Sequence, residues 1–204
     1  MRDLVGARED SVRNRRRARQ RINSSLLPHG RVFSGAKKKW GAVHRRWLAE
    51  QYFDLPAQRI ALEESIATQE ESDQRVERRT EQLHSLLEGW KWRSVAEALQ
   101  VLRGVQLLVA VTVIAEVGDL ARFTPTGLLA FLGMVASEYT TSDKGRQGAI
   151  TKNGKAHVRR VLCNASHAYR YSPALTQFVR QLQRNLSQEM RHIGWKAQLR
   201  MCGR

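Results

Sequence analysis

A heptad seam stepping four and three residues runs through the middle of the chain: Leu62, Ile66, Gln69, Asp73, Val76, Thr80, Leu83 and Leu87. Side chains at these steps share one face of a helix, so this stretch must form a long helix whose seam needs covering. The seam is apolar at both ends and polar at its centre. Two arrangements satisfy it: a coiled coil whose polar centre sets the register, or a long helix packed within its own chain. The acidic flanks, Glu63, Glu64, Glu70, Glu71, Glu77 and Glu81, turn the helix away from nucleic acid and toward a role as dimerisation arm or spacer. Asp54-Leu55-Pro56 is its start signal, with Asp54 as N-cap candidate and Pro56 in the first turn.

Charge is segregated around this helix. Residues 1–50 carry 14 cations and 4 anions, 51–100 carry 6 and 10, 101–150 carry 4 of each, and 151–204 carry 11 and 1. Two basic ends joined by an acidic connector suit contact with a polyanion, and nucleic acid is the expected one. The run Leu102 to Val117 is interrupted by Arg103, Gly104, Gln106, Thr112 and Glu116; it is too short and broken to span a bilayer and reads as a core helix. Cys163 and Cys202 lie far apart without paired spacing, as in a reduced, cytoplasmic protein.

The fold class is mainly α, with basic N-terminal helices over 1–53, a coiled-coil or linker helix over 54–90 and a compact helical domain over 91–204. In the first part, residues 3 to about 27 form a helix with a narrow apolar stripe of Leu4, Val5, Val12, Ile22, Leu26 and Leu27. Arg13, Arg15, Arg16, Arg17, Arg19 and Arg21 surround much of the cylinder, facing solvent or phosphate. Pro28-His29-Gly30 ends it, and a basic turn with Lys38 and Lys39 leads to Trp40. A second helix over 42–53 places Trp40, Val43, Trp47, Leu48 and Tyr52 near one face, as core or as a stacking surface for bases. Gly89-Trp90-Lys91-Trp92 breaks the long helix. Beyond it, Val95, Leu99 and Leu102 lead through Arg103-Gly104-Val105 into the apolar helix that stops at Gly118-Asp119. Helix, glycine turn, helix resembles a helix-hairpin-helix, whose turn amides hold a phosphate; a plain core hairpin fits equally.

The loop Ser137 to Gly154 is rich in hydroxyls and punctuated by glycine, and it runs into the basic helix start at Lys155. Backbone N–H groups at such a terminus, with Lys144, Arg146, Lys152, Lys155, Arg159 and Arg160, suit a phosphodiester. From Ser172-Pro173 another helix is expected through Gln188, and Trp195 to Arg200 lies in a last one.

Gly133-Met134-Val135, Ser137-Glu138-Tyr139, Gly148-Ala149-Ile150-Thr151-Lys152, Gly154 and His157-Val158-Arg159-Arg160-Val161-Leu162 resemble the C-terminal domain of the insertion sequence 110 family of transposases, the 116/902 type. The resemblance runs from Leu4-Val5 and Ala7-Arg8-Glu9-Asp10, through Ala42 to Leu48, to Trp195-Lys196-Ala197-Gln198-Leu199-Arg200. It implies DNA transposition by strand cleavage and rejoining, shared between a carboxylate tetrad on an N-terminal RNase-H-like domain and a serine on the small helical domain, guided by a structured RNA. In that family the tetrad lies upstream of the segment matching Leu4 to Asp10, so this chain is expected to begin after it. It is then expected to bind nucleic acid without transposing alone. A divalent metal, Mg, is expected only with that carboxylate domain; this chain's own carboxylates read as a solvated helix face, and no cofactor is expected on it.

Without metal-held carboxylates, DNA cleavage needs a side-chain nucleophile, and the loop offers Thr140, Thr141 and Ser142. The family pattern is Ser-Ser-Gly with the nucleophilic serine before the glycine. Aligned without a gap, Thr141 falls on that serine and Ser142 on the glycine. Either Ser142 acts one position along, or Thr141 acts as a secondary alcohol, or the site is silent; hydroxyls that merely cap the following helix would need no chemistry. A rival from another class is a non-catalytic regulator that binds nucleic acid or pairs with a full-length transposase, or with a second copy, through the 62–87 helix; a decayed fragment is the third reading.

Overall fold

The computed structural model describes residues 1–35, 39–141 and 144–202, with backbone alone for 140–141 and 144–145. Lys38 and Ser142 therefore lie outside the described residues. The chain is mainly α-helical, as expected, and divides into two compact units, Asp3–Ser85 and Leu86–Arg204 with Met1–Arg2.

In the first unit, α1 (Arg2–Leu26) lies against α3 (Pro56–Leu87), with the short α2 (Ala42–Ala49) beside them. The two long helices are antiparallel. Arg8 Nε donates to Thr80 Oγ1 at 2.8 Å, and Arg15, seven residues further on, faces Asp73, seven residues back. The α3 seam is buried at Leu62, Gln69, Val76 and Leu83. Of the two arrangements its sequence allows, this structure has the helix packed within its own chain. Beside the seam, Arg79 donates to the Ala7 carbonyl and to Ser11 Oγ, joining the helix backbones. At the other end Ile22, Leu26, Leu48, Phe53 and Leu62 form the core, with Trp40, Trp47 and Ile66 packed on it.

α2 ends at Ala49, four residues short of the expected end; Val43 within it and Tyr52 beyond it are 48% and 66% exposed, while Trp47 and Leu48 turn inward. His44 is buried among rings, with Phe33 and Trp40 centroids each 4.7 Å away, and its Nδ1 has no partner. Burial, then the charges of Lys39 and Arg19, push the His44 imidazole below its ordinary value.

The second unit is built on α5 (Leu107–Val117), whose Ala110, Val111, Val113, Ile114 and Val117 are buried. α4 (Arg93–Leu99) precedes it through a turn containing Gly104 at φ +86°. A Cβ there would meet the Ala165 carbonyl at 2.2 Å, so the glycine admits α7 (Ala156–Ser166) at backbone contact. On that side, then, the α4–α5 turn rests on the backbone of α7. α6 (Pro125–Phe131) starts at Pro125 with Thr124 Oγ1 accepting from Gly127 N–H.

The expected loop over 137–154 is instead largely a two-stranded antiparallel ribbon, β1 (Ala136–Thr141) and β2 (Lys144–Ile150). Alternating Tyr139 and Thr141 favour extended backbone on β1, and pairing recruits the glycine-containing β2. A helix from Ser172 is also not formed. Arg103 Nη1 donates to the Ser172 carbonyl at 2.8 Å, and the wholly buried Gln198 accepts from Ala174 N–H at 3.3 Å, holding 172–174 out of helix. α8 (Gln177–Leu182) begins only where Thr176 caps it, and α9 (Gln188–Cys202) follows.

Two measurements check these constraints. Gly118 shares the positive φ of Gly104, at +80°, but has open space around it. Gly118→Ala should cost roughly 1–3 kcal/mol of backbone strain, because its ψ of −137° lies outside the left-handed helical region, whereas Gly104→Ala should cost more because α7 must move as well; chemical denaturation reads both. For His44, the folded state resists a proton that the unfolded chain accepts near 6.5, so its stabilising contribution is present above that pH and lost below it. The melting temperature should therefore fall as pH drops from about 7 to about 5, and less steeply in His44→Gln.

Candidate nucleic-acid interface

The ribbon stands on a base fixed by backbone contacts. Gly133, at φ +65°, lies so close to Asn153 that a Cβ would sit 2.3 Å from its carbonyl oxygen; at Gly154 the same test gives 2.4 Å to the Phe131 carbonyl. Thr151 N–H donates to Val135 O at 2.9 Å, and Lys152 N–H to Gly133 O at 3.1 Å, continuing the pairing below the strands. Beneath this clamp, Val158 of α7 is fully buried with Val113, Val117 and Leu132.

The cations around this base divide into two kinds. Lys155 and Arg159 are turned inward: Lys155 Nζ lies 3.3 Å from Glu116 Oε2, and Arg159 Nη1 donates to the Leu132 carbonyl at 2.6 Å. His157 Nδ1 also approaches Glu116, at 3.6 Å. Glu116, which in sequence only interrupts an apolar run, thus holds the first turn of α7, while Arg159 ties that helix to the foot of the ribbon. Arg146, Lys152 and Arg160 are exposed, on β2, just after it and on α7 respectively. Lys152 takes a left-handed backbone, φ +57°, at the turn between ribbon and helix.

On the ribbon, Tyr139 and Arg146 are directly opposed across the strands and share one face, with Tyr139 66% exposed. Gly148 leaves room for that ring: a Cβ there would come within 3.1 Å of Tyr139 Cε2. The neighbouring pair Glu138 and Gln147 lies on the opposite face. Thr141 ends β1 opposite Lys144, which begins β2; their side chains, like Ser142, lie outside the description. The backbone therefore brings Thr141 and Lys144 together at the end of the ribbon away from its clamped base.

The remaining sequence candidates belong to the other unit. Arg16 and Arg17 are exposed on α1, Lys39 is exposed in the turn before Trp40, and Arg15 is engaged with Asp73 at 3.7 Å. The sequence does not mark Glu116 or Tyr139 here: the partners of the first are distant in the chain, and the second owes its exposed face to a ribbon whose pattern is that of a loop. Among the described residues no three His, Cys, Asp or Glu side chains gather as metal ligands. No helix among the described residues is long and apolar enough to cross a membrane.

Residues 96–180 match the sequence model of the family described as Transposase IS116/IS110/IS902 family. That span runs from α4 through the ribbon and α7 into α8. The protein y4qE of Sinorhizobium fredii (strain NBRC 101917 / NGR234), named as a presumed transposase, is 39% identical over 207 residues, an alignment taking in 100% of this chain and 49% of that relative. The chain thus spans about half the length of the curated relative it matches. Residues 96–180, which carry the clamped ribbon and its supporting helices, are thus the part of the chain that matches the IS116/IS110/IS902 family of transposases.

Proposed function

We propose that this chain is a DNA-contacting part of an insertion-sequence transposase, in which the ribbon is laid against a phosphodiester during strand cleavage and rejoining. The observation that carries the reading is the division of labour around the ribbon: Lys155 and Arg159 fix its base internally, while Arg146, Lys152 and Arg160 keep their charge at the surface. Exposed cations on a rigid support suit phosphate contacts, which position a nucleic acid without reading its sequence.

The far end of the ribbon then supplies the hydroxyls. Attack by Ser142 or Thr141 on phosphorus forms a side-chain O–P ester as one P–O bond of the backbone breaks. The hydroxyl gives up its proton, and the departing sugar oxygen takes one up. The phosphodiester energy stays in the covalent link, ready for rejoining. Lys144 and Arg146 are the cations nearest in the ribbon register, and they would offset charge developing on the phosphoryl oxygens. The divalent metal and carboxylates that the family implies would come from elsewhere in the assembly, and a structured guide RNA would be a second polyanionic partner.

A second reading is favoured by one observation, the threonine at the position where the family pattern has its nucleophilic serine. In that reading the chain binds nucleic acid and regulates a longer transposase without cutting.

Binding of a DNA duplex should weaken steeply with salt, and replacing Arg146, Lys152 and Arg160 together by Gln should reduce the log–log slope by about 3, near 0.9 per lost phosphate contact. A flat salt response, or a slope unaltered by the triple variant, would remove the interface. Nicked duplex trapped on denaturing gels tests the chemistry: an adduct lost only in Ser142→Ala assigns Ser142, and one lost only in Thr141→Val assigns Thr141. Binding without any adduct, in the presence of the longer relative and magnesium, favours the regulator.

A further inference from the structure

The first unit contains a groove that the charge pattern alone does not reveal. Arg15, Arg16, Arg19, Gln20 and Asn23 of α1 face Trp40 across an open depression of about 310 Å³. We propose that it is a binding site for an unpaired nucleotide of a single-stranded nucleic acid, with the phosphate on the arginines and the base on the Arg19–Trp40 pair. This rests on the reading of the chain as a nucleic-acid-binding protein, but on different residues from the ribbon.

Three observations point to that occupant. The first is charge. Asp73 lies 3.7 Å from Arg15, 2.9 Å from Arg19 and 3.7 Å from Arg45, so a single carboxylate faces three guanidinium groups and leaves them net positive. Arg16 on the same groove is exposed and has no hydrogen bond or ion pair among the described residues. Arg19 Nε is a buried donor without an acceptor. A phosphate supplies what the cluster lacks, charge and acceptor oxygens together.

The second is a stacking platform. The Arg19 guanidinium carbon lies over the Trp40 ring, 5.0 Å from its centroid, and both line the groove. Bases stack on aromatic rings and on guanidinium planes. Gln20 and Asn23 bring amide donors and acceptors to the same wall, the groups that meet base edges. The third is backbone strain. Trp40 is held at φ +67°, a conformation rare for a bulky residue, with its ring against the core and against His44. Surrounding structure is therefore spent on presenting this indole. The depression holds one base and its phosphate, not a double helix.

The test is fluorescence anisotropy of the whole chain with a short oligothymidylate, an oligouridylate and a duplex of matching length, each over a salt series. Trp40→Leu should weaken single-strand binding roughly tenfold without changing its salt slope, and Trp40→Phe should restore most of the loss. Arg16→Gln should reduce the single-strand slope by about 0.7, one phosphate contact. Duplex binding should persist in all three. Comparing the thymidylate with the uridylate tells whether the natural strand is DNA or RNA. If Trp40→Leu does not fold, the exposed Arg16→Gln still decides through its slope. Single-strand affinity and slope unchanged in Arg16→Gln and in the Trp40 variants would overturn the site while duplex binding leaves the ribbon reading standing. Duplex binding absent from the wild type, with single-strand binding intact, would overturn the ribbon reading and leave the groove.

Discussion

The first unit depends on one carboxylate. Helix α1 carries arginine around most of its circumference, and laying such a helix along a neighbour would normally bring like charges together at the interface. Asp73, at the polar centre of the α3 seam and 17% exposed, draws in Arg19 and Arg15 from α1 and Arg45 from α2, while Gln69 Nε2 donates to it at 2.5 Å. The apolar ends of the seam can then close, with Ile22, Leu26 and Leu62 in one core. A polar centre of this kind adds little net stability, since desolvation offsets much of the attraction, but it allows only one alignment of the helices. The helix can thus keep Arg16 and Arg17 on its outer side without giving up its packing.

The second unit solves a different problem, how to support a two-stranded ribbon that has little core of its own. Two strands alone are marginal in water. Here their lower ends are extended by Thr151 and Lys152 bonding back to Val135 and Gly133, and two glycines let the entering and leaving backbones touch. The inward ion pair of Lys155 with Glu116 and the Arg159 bond to Leu132 then join that base to α5 and α7. Cations that sequence shows as one basic patch are therefore of two types, those that build the support and those that lie exposed around it.

The long helix and its seam were legible because their signal is local: every seam residue from Leu62 to Leu83 that sequence places on the packing face is buried or partly buried. What covers that face was not legible, since either a second chain or α1 satisfies the same pattern. The ribbon was missed for the opposite reason. Lys144-Gly145-Arg146-Gln147-Gly148 has no strand propensity to speak of, and becomes a strand only through pairing with β1. Polar residues carried most of the hidden information. Glu116 reads as an interruption of an apolar run and Gln198 as one residue of a polar last helix, yet each is a fixed point for segments distant in sequence, and nothing in their spacing names those partners. The expected helix at Ser172 failed because Arg103 and Gln198 hold its first residues by backbone bonds.

The self-covered seam of α3 has a consequence for association. Its buried face is already filled by α1 of the same chain, so a second copy can use that face only by sending its own α1 across in exchange. The contacts made would be the same ones, Arg19 with Asp73 and Arg8 with Thr80, now between chains. Such a swapped pair gains almost nothing from the seam itself, and its population would be set by the connector between α1 and α3 and by concentration.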